Sequence, residues 1–241
     1  MLFFIAIKAF IVYNMVVIRI IRDGFTNETL FFIVAFLLAI LFSISVHEFA
    51  HAYVANKMGD DTAKRLGRYS INPLAHLDLF GTISFVLFGF GWAKPVPINP
   101  TNFKQYRKGI FLTSVAGIVT NIFVAFLSAG FYVLILKLGV NSESEFVNFL
   151  ITFLKYLFNE LFVLNLGLAV FNLIPIYPLD GFNMVFSLTK GENKFFQFMA
   201  RYGSIILLVL FITSVFDIAL SYVVNLIGVP MINFWDYVLV I

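Results

Sequence analysis

The stretch Leu30-FFIVAFLLAILFSISVHEFA-His51 decides how the rest of the chain is read. From Leu30 to Phe42 every side chain is apolar; then Ser43, Ser45, His47, Glu48 and His51 follow in quick succession. About 20 mostly apolar residues are what a helix needs to cross a bilayer. Three ionisable residues closing such a run are costly at membrane depth and so mark a candidate site. Their spacing is H-E-x-x-H, which puts His47 and His51 on one helix face with Glu48 beside them. Two imidazoles one turn apart can bind one Zn²⁺ and leave the glutamate to take a proton from an attacking water. The plain alternative is a helix end reaching polar headgroups.

Composition agrees with a membrane protein. Of 241 residues, 61% are hydrophobic and 12% charged, with mean hydropathy +0.97. Soluble domains carry about 25% charged residues. A net charge of +3 is too small to bind nucleic acid by phosphate neutralisation. A chain with 32 Phe does not remain solvated and disordered. The absence of cysteine removes disulfides, thiol nucleophiles and Cys-ligated zinc.

Four stretches are long and apolar enough to span: residues 30–55, 110–138, 146–176 and 204–227. Residues 2–21, interrupted by Lys8 and Arg19, read as a span or an interfacial helix. Residues 80–92 are too short to cross as a helix. Gly81, Gly89 and Gly91 within them, and Pro95, Pro97 and Pro100 after them, indicate a re-entrant, strand-like insert. The expected fold is therefore an all-α polytopic membrane protein, a helical bundle of about five or six spans with that insert. Eight of the sixteen basic residues lie between Lys57 and Lys108, which places the loops 52–79 and 93–109 together on the cytoplasmic side. Lys155 and Glu160, near the other end of their helix, are expected to reach the interface. The chain divides into an N-terminal apolar segment (1–29), a membrane core (30–186), and a cytoplasmic loop with a C-terminal membrane helix (187–241).

Zinc wants at least one more protein ligand, and His76 and the scattered carboxylates are the candidates. In Phe171-Asn-Leu-Ile-Pro-Ile-Tyr-Pro-Leu-Asp-Gly181, Pro175 and Pro178 break a span and Asp180 follows in what reads as an unwound loop. Broken helices that present a carboxylate at membrane depth build sites. A Pro-terminated helix followed by a solvated Asp-Gly turn would leave the same pattern.

HEFAH followed by NLIPIYPLDG resembles the site-2 protease family of zinc intramembrane metalloproteases. Asn72-PLAHL-Asp78, Gly91-WAKPVPIN-Pro100 and Ser114-VAGIVT-Asn121 match between them, in the manner of small bacterial-type members. The resemblance covers residues 30–186. It implies that His47, His51 and Asp180 hold one Zn²⁺ per chain and that Glu48 is the catalytic base. Asn172 matches a family residue that orients substrate or stabilises the oxyanion, and His76 and Asp78 read as structural or substrate-proximal. Ile118 and Leu79 stand where the family usually has Pro, which bears on local geometry rather than on the ligands. The implied activity is hydrolysis of a peptide bond in or beside a transmembrane segment. The partners are then a transmembrane protein or peptide substrate and the lipid bilayer, with no nucleic acid. The implied location is the plasma membrane of a prokaryote, multi-pass, with the site opening to the cytoplasm. A metal-ion transporter or channel using the same cluster, or a non-catalytic homologue that binds membrane helices, are the rival readings.

Overall fold

Helix α1 (Asn27–Met58) is longer than the apolar run that predicts it, because caps at both ends extend it. The Thr26 side chain accepts from Thr29 N–H (3.2 Å) at its start, and Gly59, in the left-handed region at φ 114°, ends it. The structure is a computed structural model that describes residues 3–4, 24, 26–81, 92–139, 142–189, 193–212 and 214–239, with backbone alone at 3–4, 92 and 211–220. After α1 come the short α2 (Thr62–Arg65), then α3 (Tyr106–Leu138), α4 (Glu145–Asn172), α5 (Asp180–Leu188), α6 (Lys194–Ile212) and α7 (Ser214–Val238). Two residues of β1 (Phe3–Phe4) pair antiparallel with two of β2 (Trp92–Ala93). The bodies of the N-terminal segment (5–23) and of the expected insert (82–91) lie outside the described residues.

Helices α1, α3 and α4 pack on one another and form the centre of the molecule. Each is long and apolar enough to cross a membrane, and these are the three such helices among the described residues. Between apolar helices in lipid, close backbone approach and dispersion contacts replace the hydrophobic drive. Small residues accordingly fill the seams: Ala35 and Ala39 on α1, and Ala125 and Ala129 on α3, are fully buried. Outward-facing Leu30, Val34, Leu37, Leu38 and Phe42 on α1 stay exposed, an apolar face suited to lipid. One core joins α3, α4, α6 and α7 through Ala129, Phe162, Leu166, Leu207 and Val224. A second joins Phe32, Phe36 and Ile40 of α1 to Leu164 of α4.

The run 204–227 falls within α6 and α7, and residue 213 between them lies outside the described residues. Two expectations need correction. Helix α4 ends at Asn172, short of residue 176, because Pro175 lacks the N–H that another turn would need. Glu160 is 5% exposed and buried in the bundle, so it does not reach the interface, whereas Lys155 is exposed. The two basic loops do pack together. The Arg68 guanidinium donates to the carbonyls of Lys94 and Pro95, Lys94 N–H to His76 O (2.8 Å), and Lys104 N–H to Met58 O (3.0 Å). Buried Asp60 ties the same loops, accepting from Asn99 N–H (2.7 Å) and Asn102 Nδ2 (2.8 Å) as well as from Thr62. Burial works against ionisation of Asp60, but these donors, Thr62 foremost, outweigh it and hold its carboxyl below the usual carboxylate range.

Candidate active site

Helix α1 turns His47, Glu48 and His51 inward, each 5–6% exposed. After Asn172 the chain folds back through a turn that contains a cis Tyr177–Pro178 bond and restarts as α5 at Asp180. Asp180 is thus the first residue of a helix rather than part of an unwound loop. A carboxylate suits that position, because free N–H groups and the helix dipole face it. The fold-back requires Gly181: a Cβ there would collide with the carbonyls of Leu173 and Ile174.

The two histidines and the aspartate meet in the interior. His47 Nε2 lies 2.9 Å from His51 Nε2, and Asp180 Oδ2 lies 3.3 Å and 3.2 Å from these two atoms. These three buried side chains form the group of potential metal ligands among the described residues. His51 Nδ1 is held 2.7 Å from Thr113 O, so that nitrogen carries the proton and Nε2 is left with its lone pair. Asp180 Oδ2 accepts no hydrogen bond among the described residues. Converging lone pairs on two imidazole nitrogens and a carboxylate call for a cation between them, and this donor set fits zinc. Helix α3 approaches closely enough that a Cβ on Gly117 would lie 2.5 Å from His47 Cε1 and 2.7 Å from His51 Nε2.

Glu48 points to the other side of the cluster, where its Oε2 accepts from Val96 N–H at 2.8 Å. Val96 stands between Pro95 and Pro97, which have no N–H, so it carries the one backbone donor of that tripeptide. Arg68, holding the two preceding carbonyls, fixes the segment in place. A cavity of about 510 Å³ opens here. Glu48, His51 and Asp180 are among its lining residues, and Val96, Ile98, Phe103, Tyr106 and Phe186 give it apolar walls. An apolar cleft with few convergent polar groups is the usual form of a binding site.

The other sequence candidates lie apart from this cluster. His76 is 1% exposed and its Nε2 bonds to Ser70 O (2.7 Å), a structural arrangement within the loop. Asp78 accepts from Gly81 N–H (2.8 Å). Asn172 donates to Leu168 O (3.0 Å) on its own helix and is outside the cavity lining. Ile118 leaves α3 unbroken. Sequence reasoning assigned no role to Val96, Thr113 or Gly117. Val96, a single donor bracketed by prolines, and Gly117 both lie in stretches that resemble the family, whereas Thr113 had no visible signal.

Comparison with known proteins agrees with the geometry. Peptidase family M50 matches over residues 142–211, the part that includes the turn and Asp180. The Bacillus subtilis (strain 168) protein named "Putative zinc metalloprotease YwhC" is 43% identical over 179 residues, covering 73% of this chain and 79% of that one. No solved structure matches the chain significantly. The chain belongs to peptidase family M50, the site-2 protease metallopeptidases.

Proposed function

We propose that this metalloprotease cleaves a peptide bond in or beside a transmembrane segment of a membrane-protein substrate, with His47, His51 and Asp180 holding one zinc ion and Glu48 acting as general base. The observation that carries the reading is the convergence of three buried ligand atoms next to Glu48 beside an apolar cavity. When bound, zinc polarises the scissile carbonyl and acidifies the attacking water.

The chain's own residues supply the rest. Val96 N–H occupies Glu48 Oε2 and orients the carboxylate, leaving Oε1 to take the water's proton and later return it to the leaving amine. Thr113 O holds the His51 ring. The walls formed by Val96, Ile98, Phe103 and Phe186 favour apolar side chains, which transmembrane segments provide. Asn172 Nδ2 gives one N–H to Leu168 O and keeps a second for an oxyanion. From Asn27 to His47 the helix rises about 30 Å, the thickness of a hydrocarbon core. This length supports a cluster near one face of the bilayer, within reach of water. The basic loops around it favour the cytoplasmic face. A multi-pass protein of about five or six spans in a prokaryotic plasma membrane is the matching topology.

The test is reconstitution in vesicles with a single-span substrate and mass-spectrometric mapping of the new termini. Cleavage within or beside the span is the expected result. Cleavage confined to soluble tails would refute the intramembrane assignment, and zinc uptake into vesicles without any cleavage would favour a transporter.

A further inference from the structure

One turn from the ligand cluster, the helix interface holds four polar atoms with unmet hydrogen-bonding capacity. His47 Nδ1, Asn121 Oδ1, Asn121 Nδ2 and Asn165 Oδ1 are buried and have no hydrogen-bond partner among the described residues. Asn121 and Asn165 are fully buried. Such a group is costly if it stays unpaired, so four in one region require an account.

Register brings them to a common level. Helices α1 and α3 run antiparallel: Ala55 packs with Ile110, His51 bonds to Thr113, and the His47 and His51 rings flank Gly117. The next turn brings Ser43 on α1 and Asn121 on α3 to one level. Asn165 on α4 joins them there, because its Nδ2 donates to Ser43 Oγ (2.7 Å) and to Leu161 O (2.8 Å).

The polarity of these groups closes. Asn165 spends both amide hydrogens on Ser43 and Leu161, so its Oδ1 is left as an acceptor. His47 turns Nε2 toward Asp180 and His51, so its proton sits on Nδ1 and needs an acceptor. Metal-binding histidines almost always give that second N–H to a carbonyl, carboxylate or water, as His51 does to Thr113. Asn121 offers an acceptor for His47 Nδ1–H and a donor for Asn165 Oδ1.

We infer that Asn121 is a positioning residue for the metal site. Its Oδ1 accepts from His47 Nδ1–H and its Nδ2 donates to Asn165 Oδ1, directly or through a buried water. This fixes the His47 tautomer and keeps Nε2 aimed at the metal. The inference rests on the zinc reading above, and the experiment separates the two.

Full-length wild type, Asn121→Leu and Asn121→Asp are purified in detergent and titrated with zinc against a chelator. Cobalt(II) spectra and ¹⁵N-histidine NMR are recorded alongside; the chain has only three histidines, which keeps the NMR assignment simple. Asn121→Leu should weaken zinc binding by about 10–100-fold. It should also change the cobalt visible bands and move the His47 Nδ1 signal. Asn121→Asp, which keeps an acceptor for Nδ1–H, should stay within a few-fold of wild type. Wild-type affinity and spectra in Asn121→Leu, or equal losses in both variants, would overturn the inference. If Asn121→Leu fails to fold, the wild-type spectrum decides: a protonated Nδ1 with metal on Nε2 of His47 supports it, and metal on Nδ1 overturns it. A wild type that takes up no zinc would overturn the zinc reading itself.

Discussion

Replacing Gly117 with alanine tests whether the close approach of α3 serves the ligand cluster. In the middle of an ordinary exposed helix the change would stabilise by about 1 kcal/mol, because glycine is the poorer helix former. Here the new Cβ would lie 2.5 Å from His47 Cε1, 2.7 Å from His47 Nδ1 and 2.7 Å from His51 Nε2. Comfortable carbon contacts are about 3.5–4.0 Å, so the rings or the helix must move by roughly 1 Å. Metal–ligand distances tolerate only about 0.2 Å. If α3 moves instead of the rings, the 2.7 Å bond from His51 to Thr113 O is lost and the ring is no longer oriented. We therefore expect Gly117→Ala to insert and keep wild-type helicity by circular dichroism, yet lose most of its zinc by elemental analysis and fall in activity with the metal. Full zinc occupancy with wild-type turnover would refute the claim that this contact shapes the site.

Asp180→Ala removes one of three proposed ligands, and metal analysis should show well under one zinc per chain; an unchanged content would mean that the third ligand is another residue. Arg68→Ala frees the carbonyls of Lys94 and Pro95, so Val96 should lose its hold on Glu48. Limited proteolysis should then cut residues 93–99 faster, and activity should drop while zinc content holds. Asp60→Asn should cost about 1–3 kcal/mol at pH 7 by weakening the contacts that join the two loops. Because the folded carboxyl titrates below its ordinary value, this stabilisation is complete above about pH 4, the unfolded value, and is lost as pH falls through the lower folded one. Thermal melts of wild type and Asp60→Asn should accordingly begin to converge as pH falls below about 4, and a gap that did not narrow there would contradict the assignment.

The candidate ligands His47 and His51 were legible in the sequence because ionisable groups closing an apolar run are expensive and stand out, whereas Asp180 as a third ligand was implied only by the family resemblance. The three long helices were legible for the complementary reason, since runs of that length and hydropathy have few other uses. What the sequence concealed is carried by backbone atoms and by register. No side-chain pattern announces that Thr113 lends its carbonyl to His51, or that Gly117 lies against both rings. Glu160 escaped because burial of a carboxylate depends on which face of α4 meets its neighbours, and a single helix does not reveal that. Asp180 drew notice because it follows the Pro175–Pro178 break, whereas its place as the first residue of a new helix follows from how Gly181 packs against the preceding turn.

The central claim, that zinc at this cluster works with Glu48 as base, is tested most directly by measuring metal content and cleavage together in Glu48→Gln. The amide is nearly isosteric and can still meet Val96 N–H through its oxygen, but it cannot take a proton from water. The account predicts about one zinc per chain, as in wild type, and a rate lower by at least about 10²–10⁴. Unchanged zinc with near wild-type cleavage would contradict it.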